Sequence, residues 1–192
     1  MASVAGLCGP TSLDPTREQI MTSYTILKTD LVGDLLLAAN ARELTGVYFC
    51  GCKHVPAQQD DWRLDPREPV LKQAARELQE YLAGERKVFS VPLHFDGTGF
   101  QHEIWKQIAL IPFGATISYT ELAERAGAPD AVRAAGMATG QNPLSIIVPC
   151  HRVVGKNGKL TGFAGGLDRK KGLLEIEMNP AHFKLEQVCA GC

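Results

Sequence analysis

The sequence predicts an α/β chain of the segregated α+β kind: a small sheet-and-helix unit, then a unit with a winged helix-turn-helix pattern. Three observations predict it. Short apolar runs separated by turn residues fill positions 23–49, as strands do. Apolar residues then recur at helical spacing after Pro69 and again after Phe100. Lastly, two short helical segments flank Gly127-Ala128-Pro129 and precede a turn-centred basic stretch, the order of a helix-turn-helix and its wing.

The elements follow in order. Residues 1–22 lack periodicity and read as a flexible N-terminal extension. The runs Tyr24–Leu27, Leu35–Ala39 and Leu44–Phe49 read as an antiparallel sheet, with Asp34 and Asn40 in the turns. Residues 51–68 are polar and turn-rich. Pro69 can open a helix, because a first-turn position has no use for an amide hydrogen. Leu71, Ala74, Leu78, Tyr81 and Leu82 form its inner face, and Gly84 stops it. Phe89–Leu93 reads as an edge strand or connector, since Pro92 cannot donate to a ladder. The turn residues Asp96-Gly97-Thr98-Gly99 mark a boundary. An N-terminal α/β domain is therefore expected over residues 23–94 and a second domain over 95–180, with a tail at 181–192.

In the second unit, Phe100, Ile104, Trp105 and Ile108 line a helix that ends before Pro112. Ser118 and Glu121 have capping-box spacing, which satisfies free amides at a helix start. The next helix is expected from Asp130 to Ala138. Val153–Leu160 reads as a hairpin around Asn157-Gly158, residues that tolerate the positive φ of a tight turn. Asp168 is expected to cap a last helix that packs Leu173, Leu174 and Ile176 inward.

Composition narrows the function classes. The chain has 192 residues, 45% of them hydrophobic, enough for one core or two small ones. No apolar run is long enough to cross a membrane, and no basic-then-apolar start suggests a secretory signal. Six irregularly spaced cysteines do not read as a disulfide framework. Net charge is only −1, so whole-chain electrostatics do not announce nucleic acid. Arg152, Lys156, Lys159, Arg169, Lys170 and Lys171 nevertheless fall close together and could form a local basic face for phosphates.

The chemistry centres on Pro149-Cys150-His151-Arg152-Val153, directly after the apolar run Ile146-Ile147-Val148. A thiolate is a strong nucleophile and a thiol a poor one, so an adjacent imidazole suggests a base. Neighbouring residues do not share a face of a regular helix or strand. A Cys-His relay here needs an irregular turn or a bridging water. A carboxylate behind the imidazole would fix its tautomer, with Glu177 the candidate and Glu175 its local rival.

The pattern resembles the O6-alkylguanine-DNA alkyltransferase family, the methylated-DNA–protein-cysteine methyltransferases. The resemblance rests on Ile146–Val154, with Arg133-Ala134-Ala135-Gly136 and Gln141-Asn142-Pro143 before it, and Gly162–Leu167 and Leu173–Glu177 after it. It covers roughly residues 23–178. It implies a ribonuclease H-like N-terminal domain and a DNA-binding, alkyl-accepting C-terminal domain. It implies a suicide S-methyltransferase: Cys150 takes the alkyl group from guanine O6, and possible substrates include O4-alkylthymine. His151 would act as base through a water, Glu177 would orient it, and Tyr119 would serve N3 of the leaving guanine. Asn142 would support the active-site loop. Val153, Phe163 and Ala164 would join Tyr119 and Cys150 in reading the flipped base. Ala164 stands where the family often has serine, and Phe163 where some members have tyrosine, which keeps a pocket wall but loses a phenol. Arg133 would enter the stack vacated by the flipped base, and Ala131, Ala134 and Ala135 would keep the helix slim for the minor groove.

The implied partner is double-stranded DNA carrying O6-alkylguanine, bound by a monomer with no membrane and no required cofactor. Residence would be cytoplasmic in a prokaryote and nuclear in a eukaryote. Cys50, Cys52 and His54 have metal-ligand spacing, with Cys8 a further donor, but a structural zinc is not expected. Cys189 and Cys192 form a CxxC without a surrounding redox fold. The alternatives are a non-catalytic sensor of alkylated DNA, against which Cys150 argues, and a winged-helix regulator with a reactive cysteine.

Overall fold

The computed structural model describes residues 21–52, 55–56 and 62–178. Residues 1–20 of the extension, the tail, Cys8, His54, Cys189 and Cys192 lie outside these residues. Three antiparallel strands form as the apolar runs require: β1 (Ser23–Leu27), β2 (Leu35–Ala39) and β3 (Leu44–Phe49). Every residue of β2 is buried, as befits a central strand covered on both faces. Asn40 closes the β2–β3 turn, its Oδ1 accepting from the amides of Arg42 and Glu43. A short fourth strand, β4 (Arg63–Leu64), lies within the stretch expected to be only polar turns. It pairs parallel with β1, giving the order β3-β2-β1-β4. Two exposed residues carry no periodicity, so this strand was invisible in the sequence.

Helix α1 (Pro69–Leu82) packs on the sheet. Glu68 caps it through the Leu71 amide, and Gly84 follows with φ of 71°. Buried Glu77 takes hydrogen bonds from the amides of Ser90 and Val91, which fixes the connector after the helix. That connector covers the outer edge of β3 at Leu93, and the loop before Cys150 covers the same edge at Leu144. A sheet edge that would otherwise be unpaired thus carries the functional loop.

Helix α2 (Gly99–Ala109) starts with a full capping box between Thr98 and Gln101. Helices α3 (Tyr119–Arg125) and α4 (Val132–Gly140) are the expected helix pair. The α4 span begins two residues later than expected, because Ala131 gives no side-chain cap. Only the Ser118 half of the second capping box forms; Glu121 pairs with Arg125 instead. Trp105 Nε1 donates to the Ala138 carbonyl and locks α2 to α4. Helix α5 (Leu167–Met178) closes the fold with Leu173, Leu174 and Ile176 buried. Asp168 lies inside its first turn rather than at the cap, where its charge still favours the helix dipole.

The expected hairpin at Val153–Leu160 does not form as two strands. Val153–Val154 (β6) pairs parallel with Ile117–Ser118 (β5), and Asn157-Gly158 makes only a closed turn, with Gly158 at φ of 75°. The returning chain spends its Thr161 and Gly162 carbonyls on side chains, not on a ladder. One contiguous core runs from β2 and β3 through α2 to Cys150 and Ile176. No helix among the described residues is long and apolar enough to cross a membrane.

Candidate active site

The apolar run before Cys150 is buried but is not a strand. It turns on Ile146, whose φ of 73° is a left-handed conformation that a β-branched residue rarely adopts. Surrounding bonds enforce it: the Val148 amide donates to the Leu144 carbonyl, and the Ile147 amide to Ser145. Asn142 spans the same turn, its Nδ2 donating to the Val148 carbonyl at 2.8 Å and its Oδ1 accepting from the Leu144 amide. The chain then enters a single 3₁₀ turn over Cys150–Arg152. This supplies the irregular backbone that adjacent Cys150 and His151 require to act together.

Cys150 is 4% exposed. Burial pushes its thiol above the ordinary range, while a hydrogen bond with Asn142 and the charge of Lys170 pull it back. Its side of the protein opens on a cavity of about 240 Å³ lined by Tyr119, Gly136, Thr139, Cys150, Phe163 and Ala164, among others. Tyr119 stands at the first position of α3, set by the Ser118 cap, and its phenol donates toward the Thr161 and Gly162 carbonyls, each at 3.3 Å. Val153 is fully buried behind the cavity rather than among its lining residues, and its carbonyl is taken by Lys170.

His151 is fully buried. Its Nε2 lies 2.9 Å from Glu177 Oε1, and its buried Nδ1 has no partner among the described residues. Glu175 is exposed and faces Lys171, so the rivalry between the two glutamates is decided by burial. Burial pushes the Glu177 carboxyl up, but bonds from His151 and Arg152 more than reverse this and bring it down to about 2. An ionised carboxylate can only accept, so Nε2 must carry the proton and Nδ1 the lone pair. Burial holds the imidazole below its usual range, against the pull of Glu177, so it stays neutral with the Nδ1 lone pair free to accept a proton.

Three participants were missed in the sequence. Tyr81 of α1 donates to Glu177 Oε1 at 2.6 Å. Arg152 grips both oxygens of Glu177 and donates to the Ile111 carbonyl. Lys170 is fully buried and its Nζ donates to the carbonyls of Val153, Thr161 and Gly162; burial brings it down to about 8. The expected basic face is therefore wrong in its membership. Arg152 and Lys170 point inward, and Arg169 binds the carbonyls of Val32 and Gly165. Lys156, Lys159 and Lys171 remain exposed. Charge clustering alone could not separate the two sets; the apolar spacing of α5, with Lys170 three residues before Leu173, was the available signal.

On α4, Arg133 and Ala134 are exposed and Ala131 is half-exposed at its start. Ala135 is not a surface residue: it is fully buried against the core, so its side chain cannot meet DNA. Exposed Met137 stands one turn after Arg133 on the same face. Cys50 and Cys52 are free, and Cys52 Sγ accepts from Arg169 Nη1 at 3.4 Å. Among the described residues, no three His, Cys, Asp or Glu groups gather as a metal site.

Comparison with known proteins decides the family. The ribonuclease-like domain of 6-O-methylguanine DNA methyltransferase matches residues 22–95, and its DNA-binding domain matches residues 99–179. A methylated-DNA–protein-cysteine methyltransferase of Mycobacterium tuberculosis is 45% identical over 150 residues, covering 78% of this chain and 89% of that protein. The chain belongs to the 6-O-methylguanine DNA methyltransferase family. A methylated-DNA–protein-cysteine methyltransferase of Methanosarcina acetivorans is 45% identical over 154 residues, covering 80% of this chain and 97% of the relative. The crystal structure of M. tuberculosis OGT in complex with DNA superposes with a TM-score of 0.77 at 42% identity, covering 85% of this chain and 99% of that one. The methyltransferase of Pyrococcus kodakaraensis, at 23% identity and a TM-score of 0.59, shares the fold.

Proposed function

We propose that this chain repairs DNA by a single irreversible transfer of a methyl or other alkyl group from guanine O6 to Cys150. The observation that carries it is the buried thiol at the end of a small cavity, beside an imidazole whose free nitrogen is held basic by Glu177. The Cys150 proton passes through a water to His151 Nδ1. The sulfur lone pair then forms the S–C bond as the C–O6 bond breaks in line, and that electron pair stays on the base. Tyr119 gives its phenolic proton to N3 of the leaving guanine, in place of the carbonyls it now faces, and regains one from solvent. Phe163 and Ala164 border the base from the cavity wall, and Asn142 holds the nucleophile's loop. No metal or other cofactor is needed, because an S-alkyl product forms without redox change.

A base must leave the duplex to reach this cavity, at a cost of a few kcal/mol. Exposed Arg133 fills the gap, and Ala131 and Ala134 let α4 approach the minor groove. O4-alkylthymine presents the same C–O bond on a smaller ring and is a second substrate. The protein acts as a monomer whose N-terminal α/β domain and alkyl-acceptor domain divide near residues 94–99.

Intact and peptide mass spectrometry, after incubation with duplex DNA carrying one O6-methylguanine, tests this. One methyl on Cys150 with stoichiometric repair, and none in Cys150→Ser, is the expected result. Tight binding without a mass gain would make the protein a damage sensor instead.

A further inference from the structure

The N-terminal unit has so far only a structural role, yet one of its side chains reaches the buried proton relay. Tyr81, on the inner face of α1, places its hydroxyl 2.6 Å from Glu177 Oε1 and 3.2 Å from His151 Nε2. It is fully buried, boxed by Phe89 and Phe113. A phenol has one proton. With Glu177 ionised, the phenol donates that proton to Oε1, and toward His151 its oxygen can only accept, sharing the Nε2–H that also points at Oε1.

We propose that Tyr81 is a positioning residue for the transfer: it occupies Glu177 Oε1 with its own proton, limits the pull of that carboxylate on His151, and so keeps the imidazole neutral. This rests on the repair reading above. The other groups facing His151 are Glu177 and Lys170 on α5, and Cys150 and Arg152 on the 3₁₀ turn. Arg152 and the Gly114 amide already serve Glu177. Arg152 donates to Oε1 as well, but among the described residues Tyr81 is the donor to Oε1 whose hydroxyl also lies within reach of His151 Nε2, so it can trade proton affinity between the two. Burial and the nearby Glu177 hold its phenol well above the ordinary range, so it stays a donor at every working pH.

Removing the hydroxyl leaves Oε1 a stronger acceptor for the Nε2 proton, which favours imidazolium. In Tyr81→Phe the His151 titration midpoint, followed by NMR of the imidazole nitrogens without DNA, moves up by roughly one pH unit, about tenfold in the proton equilibrium. The acid limb of the transfer-rate profile on O6-methylguanine duplex moves up with it. Site-specific 3-fluorotyrosine at position 81, a better donor of nearly the same shape, moves both in the opposite direction. This second variant keeps the test available should Tyr81→Phe not fold. Midpoints that stay fixed, or that move the same way in both variants, would overturn the proposal. Absence of transfer by the unmodified protein would instead sink the repair reading, while the NMR titration still judges Tyr81.

Discussion

Glu177→Gln leaves the Arg152 guanidinium buried without its counter-charge. Breaking one partner of such a pair costs about 3–5 kcal/mol. Urea denaturation should register a loss of that size; a loss under about 1 kcal/mol would mean that Arg152 finds other partners. Tyr119→Phe keeps the ring at the cavity wall but removes its proton. Transfer from O6-methylguanine DNA should slow by on the order of 10², with DNA affinity unchanged. An unchanged rapid-quench rate would remove Tyr119 from the chemistry.

Among the elements, α4 and the 162–166 loop offer two tests of the proposed function. Arg133→Ala should leave the Cys150 relay intact yet slow repair of duplex DNA by roughly tenfold to a hundredfold, since the flipped base costs a few kcal/mol to hold out. The free O6-methylguanine base, which needs no flipping, should react at an unchanged rate. An equal loss on both would place Arg133 in the fold rather than at the DNA. In the loop, a Cβ on Gly165 would lie 2.7 Å from Phe49 and 2.9 Å from Phe163. Gly165→Ala must therefore shift a cavity wall, and should cost about 1–3 kcal/mol by overpacking, read as a lower denaturation midpoint.

For the whole molecule, stability should follow the carboxylate at its centre. The Glu177 carboxyl sits at about 2 when folded, below the ordinary value of 4.5. Its contribution, on the order of 3 kcal/mol, is therefore complete above the unfolded value and is lost as pH falls from there toward 2. The melting temperature should drop over that window and drop less in Glu177→Gln. Alkylated Cys150 should also melt lower than free Cys150, because a methyl added to a 4%-exposed thiol must displace packed neighbours. Equal melting curves would mean that the cavity absorbs the product.

Neighbouring residues dictate most of the local structure and single out the pair proposed to react. Strand runs, the Pro69 and Ser118 helix starts and the Cys150-His151 dipeptide are written in neighbouring residues, and local propensity acts over such spans. The resemblance adds Tyr119 and Asn142 to the proposed site and favours Glu177 over Glu175. Which charges face inward follows from packing between elements. Arg152 and Lys170 sit in one basic cluster with Lys156 and Lys159; the helical spacing of Lys170 from Leu173 is the one local hint, and nothing local marks Arg152 for burial. Ala135 looked like its neighbour Ala134 until α4 took its rotation against α2 and the core. The expected wing is a turn whose Thr161 and Gly162 carbonyls bind Lys170, eight to nine residues on, and Tyr119, 42 to 43 residues back. Tyr81 lies 70 residues from His151 and 96 from Glu177. Contacts at such separation depend on how whole elements pack, and no local pattern encodes that.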